Sequence, residues 1–170
     1  LTACGGSSSS TAASTSTAAS AAASTAGTAS GDTIKVGVMG PLTGDVSVYG
    51  KAVVNGATLY LKQVNEKGGI NGKKIKLESM DDKGDATEAS NAFNKLAGDS
   101  SVLGVLGPTI SSTTAAVAPL ADQAKLPAIA PAATSDSIET GGYMFRTCFK
   151  DSYQGEIAAK FAAENLKVKK

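Results

Sequence analysis

From Ile34 onward the chain alternates between two rhythms of apolar residues. Short apolar runs fall at Ile34–Met39, Val102–Leu106, Leu126–Ala130 and Tyr143–Thr147, each too short for an independent helix and flanked by turn residues, as buried strands are. Lys74–Met80 alternates Ile75 and Leu77 with Lys and Glu, which reads as a strand with one wetter face, near a sheet edge. Between the runs the spacing changes to three and four. Val53, Ala57, Tyr60, Leu61 and Val64 mark one face of a helix over 47–66. Ala89, Ala92, Phe93, Leu96 and Ala97 mark a second, and Ala116, Val117, Leu120 and Ala124 a third. Ile157, Ala158, Phe161, Ala162 and Leu166 mark a fourth. Strand followed by helix, repeated, predicts an α/β fold: a doubly wound parallel sheet with helices on both faces.

The punctuation agrees with that order. Gly40-Pro41-Leu42-Thr43-Gly44 ends the first strand, Gly68-Gly69 closes the first helix, and Asn71-Gly72 makes a tight turn. Asp85 to Glu88 and Asp151 to Gln154 have capping-box spacing, and Ser112 or a neighbour is expected to cap the third helix. Pro119 is expected to kink that helix, and Val168-Lys169-Lys170 reads as the approach to another strand. In open parallel sheets the loops at the carboxyl ends of the strands line the ligand crevice. Gly107–Thr114 and Pro131–Ser135, both rich in hydroxyl residues, are therefore expected side by side at one mouth.

Composition divides the 170 residues in two. Every residue from Gly5 to Gly31 is Gly, Ser, Thr or Ala, which cannot bury enough surface to offset the entropy of ordering. Residues 4–31 are read as a tether and 32–170 as one domain. Formal net charge is +1 with both signs interspersed, which argues against nucleic acid as a partner. No run of about 18 apolar residues marks a membrane-spanning helix. Leu1-Thr2-Ala3-Cys4 resembles the lipobox of bacterial lipoproteins, in which the cysteine after the cleavage site carries diacylglycerol. Residues 1–3 are then a signal-peptide remnant, and Cys4 is the expected lipid anchor.

Most candidate chemistry fails on spacing. Gly44 to Lys51 is not a phosphate loop, because five residues separate Gly44 from Gly50 and Ala52 stands where Ser or Thr would hold magnesium. Gly37-Val38-Met39-Gly40 lacks the third glycine of a dinucleotide fingerprint, so no cofactor is expected. Asp81, Asp82 and Asp85 read as solvated turn carboxylates rather than a metal site. With no histidine in the chain, neither Cys148 nor Ser111 has an imidazole to activate it, and Cys148 is expected as a reduced, packed thiol. The hydroxyl loops survive this screen. Ser111, Ser112 and Thr113 fall at a helix N-terminus, where unpaired N–H groups and the macrodipole attract an anion. Pro131-Ala132-Ala133-Thr134 adds a hydroxyl, more N–H groups and carbonyls. Donors for a carboxylate and acceptors for an ammonium suit a zwitterion.

Ile34-Lys35-Val36-Gly37, Gly40 to Gly44, Tyr49-Gly50, Val64 to Gly72, Asp81-Asp82, Gly107-Pro108 to Ser111, Pro131 to Thr134 and Phe145-Arg146-Thr147 occur in this order. Together they resemble the leucine/isoleucine/valine-binding proteins of bacterial ABC importers, from Ile34 to the last residue. The resemblance implies a two-lobed type I periplasmic-binding fold, of which this chain is an incomplete first lobe. It implies an extracytoplasmic protein, anchored through Cys4, that traps a small amino acid in the hinge cleft and docks on ABC permease subunits. By motif position it implies that Ser111 and Thr134 hold the α-carboxylate, Ala132 offers its carbonyl to the ammonium and Tyr49 lines the side-chain pocket. Some relatives have a disulfide where this chain has Gly84 and Ile110, so that staple is absent. Two rivals share the fold: a ligand-sensing domain, and an enzyme on a doubly wound sheet.

Overall fold

The computed structural model describes residues 33–138 and 142–168. Cys4 and the 4–31 tether lie outside the described residues, as do Lys169 and Lys170. Five parallel strands form one sheet: β1 (Ile34–Gly40), β2 (Ile75–Asp81), β3 (Val102–Leu106), β4 (Ala128–Ala130) and β5 (Met144–Arg146). Their order is β2-β1-β3-β4-β5. The half-polar strand is thus at an edge, as its alternation predicts. β1 sits between β2 and β3, with Val36 opposite Leu77 and Val38 opposite both Ser79 and Leu106.

The helices are α1 (Ser47–Glu66), α2 (Ala86–Ala97), α3 (Ser111–Ala124) and α4 (Asp151–Lys160), the last continued by a π-helical turn over Phe161–Asn165. α2 and α3 pack on each other and on one face of the sheet, whereas α1 meets only β1 and β2. Met39, Ala89, Phe93, Leu96, Val105, Val117, Ala121 and Met144 fill the space beneath α2 and α3. Each apolar position predicted on α2 is buried there, apart from Ala97 at its end, which is partly buried.

Three expectations are corrected. Tyr60 points to solvent, because the stripe that faces β1 and β2 is the narrower one of Val53, Ala57, Leu61 and Val64. Ala124 is exposed at the end of α3, past the last turn that reaches the sheet. α4 packs against no strand and no other helix among the described elements, so Ile157, Ala158 and Phe161 are exposed. Its apolar stripe is real, but the described chain places nothing against it. The sheet face opposite α2 and α3 is bare over β4 and β5. Leu103 is 60% exposed, and Ile129 and Phe145, register partners on β4 and β5, are 40% and 47% exposed. Val168 is exposed and lies in no strand.

Candidate functional site

β3 and β4 pair in parallel, Val105 opposite Ala128 and Leu106 opposite Ile129, so the loops that leave them emerge together. The Ser135 N–H donates to Ser111 Oγ at 3.3 Å, which joins the two hydroxyl loops directly. The path out of β3 is tight. Gly107 has φ 122°, and a Cβ there would fall inside the Met39 carbonyl of β1.

α3 then starts at Ser111 with Ile110 as its N-cap, and no side chain caps it. The expected cap from Ser112 or a neighbour is not formed. Ser112 faces solvent, and the hydroxyls that could cap are turned to other work. Thr113 Oγ1 donates to the Ile110 carbonyl at 3.0 Å, and Thr114 Oγ1 to those of Pro108 at 3.2 Å and Ile110 at 2.8 Å. These bonds pin the turn and leave the leading amides open. Among the described residues the first helical N–H with a partner is that of Thr114, on the Ile110 carbonyl. An uncapped helix start presents amide donors at its positive end, which is a place for an anion. The helix runs on through Pro119 to Ala124.

Opposite it lies the loop after β4. Ala132 is exposed and Thr134 half-buried. Sequence reasoning expects free carbonyls here, and most are taken. The Ala133 carbonyl accepts from Arg146 Nη1 at 3.2 Å and from Cys148 Sγ at 3.3 Å, and the Thr134 carbonyl from the Asp151 N–H at 3.0 Å. The Ser135 and Ile138 carbonyls accept from Arg146 at 2.9 and 3.1 Å. The Ala132 carbonyl and Thr134 Oγ1 make no hydrogen bond among the described residues.

Tyr49 stands on the first turn of α1, 56% exposed, at the same edge of the sheet. Its place follows from Gly50, where a Cβ would fall inside the Pro41 carbonyl, so the helix seats directly on the loop after β1. That loop is in turn held by Asp81. Its carboxylate accepts from the Leu42 N–H at 2.8 Å, the Thr43 hydroxyl at 2.6 Å and the Lys83 N–H at 2.9 Å. Asp85 caps α2, accepting from the N–H groups of Thr87 and Glu88. Asp82 departs from the solvated role expected of it, since it is fully buried. Among the described residues no group of three His, Cys, Asp or Glu could hold a metal ion. Cys148 is a free, half-buried thiol.

Sequence reasoning names Ser111, Thr134, Ala132 and Tyr49, and all four lie at the carboxyl edge of the sheet. Hydrogen bonding joins the loops of the first three. It names Arg146 only within the Phe145-Arg146-Thr147 motif and misses its part as an organiser of the loop after β4.

A doubly wound sheet whose carboxyl edge presents an uncapped helix and a hydroxyl loop defines an open α/β fold with its crevice at that edge. The periplasmic binding protein family model matches residues 33–170, and the chain belongs to that family. It is 37% identical to a Leu/Ile/Val-binding protein, BraC3, of Rhizobium johnstonii over 139 residues, 81% of this chain and 38% of the relative. The substrate-binding protein LivJ of Streptococcus pneumoniae, solved with isoleucine, superposes with a TM-score of 0.74 at 38% identity, over 79% of this chain and 39% of that one. A solute-binding protein of Rhodopseudomonas palustris, solved with 3,4-dihydroxybenzoic acid, gives 0.71 at 34% identity, over 79% and 37%. The chain thus spans under two-fifths of the length of these relatives.

Proposed function

We propose that this chain is the first lobe of an extracytoplasmic solute-binding protein that captures a branched-chain or similar small amino acid for an ABC importer. The observation that carries the reading is the meeting of the uncapped start of α3 with the loop of Thr134. The open amides of α3 with the hydroxyls of Ser111 and Thr134 would take the α-carboxylate, and the Ala132 carbonyl the ammonium. Tyr49 would form one wall for the side chain. The chain has no histidine to activate these hydroxyls or the Cys148 thiol on the Ala133 carbonyl, so the donors and acceptors suit capture rather than chemistry. The relatives named above, a Leu/Ile/Val-binding protein, a branched-chain amino acid transporter substrate-binding protein and a solute-binding protein of an ABC transporter, support the same assignment.

The exposed apolar residues Leu103, Ile129 and Phe145 support a larger protein in which further chain covers that face. Cys4 is the proposed lipid anchor. Two or more acyl chains at that position hold stably where one does not. Palmitate labelling of the full-length protein should vanish in Cys4→Ala, and equal labelling of both forms would overturn the anchor.

A hydrogen bond to a charged group contributes about 1.5–3 kcal/mol, so Thr134→Val and Ser111→Ala in the full-length protein should each weaken leucine binding roughly 10- to 100-fold. Calorimetry showing wild-type affinity in both variants would place the carboxylate elsewhere. The relative with a bound dihydroxybenzoate favours a second reading, in which the same donors hold the carboxylate of an aromatic acid. Titrating wild type with leucine and with 3,4-dihydroxybenzoate separates the two.

A further inference from the structure

We propose that Arg146 is the positioning residue of the binding mouth, fixing which edge of each peptide in the Ala133–Asp136 loop faces the ligand. The inference rests on reading this mouth as a carboxylate site. Arg146 ends β5 half-buried, and among the described residues its guanidinium donates only to backbone: to the carbonyls of Ala133 at 3.2 Å, Ser135 at 2.9 Å and Ile138 at 3.1 Å. No carboxylate pairs with it among the described residues. The nearby Asp136 carboxylate instead takes the Ser152 N–H at 2.9 Å and hydroxyl at 2.7 Å.

A trans peptide points its carbonyl and its N–H in opposite directions. Holding the Ala133 and Ser135 carbonyls on Arg146 therefore turns the N–H groups of Thr134 and Asp136 away from it. The Asp151 N–H, on the Thr134 carbonyl at 3.0 Å, does the same for the peptide between them. That peptide's own N–H, on Ser135, does reach across to Ser111 Oγ, as this orientation requires. The loop is thus sorted, with its carbonyls on the β5–α4 side and its donors on the α3 side. Ala132, just before the reach of Arg146, keeps an uncommitted carbonyl at the mouth. A positive charge behind the carbonyls also polarises each amide in the direction that strengthens its N–H as a donor to an anion. Lysine could not substitute fully. Only the planar fork of arginine supplies several donors in fixed directions at once.

The test uses the full-length protein with Arg146→Met and Arg146→Lys. Two probes are titrated: L-leucine and leucinamide, which keeps the side chain and ammonium but replaces the carboxylate with a neutral amide. Amide hydrogen exchange is followed across residues 133–136 without ligand. In Arg146→Met the loop should exchange faster, and leucine affinity should fall roughly 10- to 100-fold, the scale of one lost bond to a charge. Leucinamide should weaken far less, and Arg146→Lys should fall between. Equal weakening of both probes would make Arg146 a purely structural residue, and unchanged loop exchange would show that it does not sort the peptides. Either result overturns the proposal. Wild type that ignores leucine while the loop still responds to Arg146→Met would remove the carboxylate reading, and the ligand role of Arg146 with it. If the methionine variant does not fold, the lysine variant carries the same comparison.

Discussion

Asp81 and Asp82 are neighbours in sequence and opposites in chemistry. Burial raises the pKa of Asp81, but the Thr43 hydroxyl and the amides of Leu42, Lys83 and Thr43 outweigh it and hold the carboxyl below its usual value. Asp82 is 0% exposed, and its carboxylate accepts a single bond, from the Gly84 N–H at 2.9 Å, which leaves Oδ2 without a partner among the described residues. Burial pushes its pKa up, the Gly84 bond opposes this, and the charge of Asp81 adds to the rise. A raised carboxyl keeps its proton in the folded state where the unfolded chain, at about 3.9, has lost it. The stability this contributes is complete below the unfolded value and is lost as pH rises through the folded one. Asp81 works in a separate window, its contribution being lost only as pH falls through its depressed pKa. Asp82→Asn should therefore melt higher than wild type at neutral pH, with the gap closing toward pH 4. A gap that does not change with pH would show that Asp82 is not the titrating group. In sequence the pair gives no sign of this difference. Which carboxylate faces inward depends on the pleat of the last residues of β2.

At the scale of elements, α2 and α3 begin differently. Asp85 accepts from the amides of Thr87 at 2.8 Å and Glu88 at 2.9 Å. The returning half of the capping box is missing: Glu88 meets Lys83 at 3.1 Å, and the Asp85 N–H goes to the Asp82 carbonyl. α4 likewise begins at Asp151 with Lys150 as N-cap and no side-chain bond, so the box expected from Asp151 does not form. Asp136, from the loop after β4, takes the Ser152 amide instead. Asp85→Ala should cost about 1 kcal/mol, whereas Ser112→Ala, on the uncapped and exposed side of α3, should stay within about 0.5 kcal/mol. Denaturant titration of both variants distinguishes them, and a loss at Ser112 as large as that at Asp85 would mean that α3 is capped after all. An α3 with open amides is the one that meets a hydroxyl loop. The proposed carboxylate site rests on that coincidence.

At the scale of the molecule, the two faces of the sheet differ in completeness. One carries α2 and α3 over a continuous core. The other carries α1 at one end and leaves Ile129 and Phe145, register neighbours, in water. α4 separately carries an apolar groove of about 410 Å³ lined by Phe149, Tyr153, Ile157 and Phe161. Contiguous exposed apolar surface of this kind is uncommon on isolated proteins and marks a face that something covers. Residues 32–170 expressed alone should bind a hydrophobic dye and self-associate, and should bind leucine far more weakly than the full-length protein. Equal dye binding and equal leucine affinity in the two forms would show that no further chain covers the face or closes the mouth.

The order of strands and helices was legible in the chain, because period and punctuation act between residues a few positions apart. Ser47–Glu66 and Val102–Leu106 are bounded in the structure as their patterns predict, and the edge position of β2 follows from its alternation. The hydroxyl loops could be placed at one mouth because parallel strands send their carboxyl ends the same way. What the residues around Ser111 and Thr134 do was decided through space. Arg146 lies 11 positions from Ser135 and Asp136 lies 16 from Ser152, separations at which no helical or strand period operates. The burial of Asp82, the bareness of Ala132's carbonyl and the uncovered stripe of α4 belong to the same class. Each depends on which distant segment arrives opposite a side chain, and local periodicity carries no record of that.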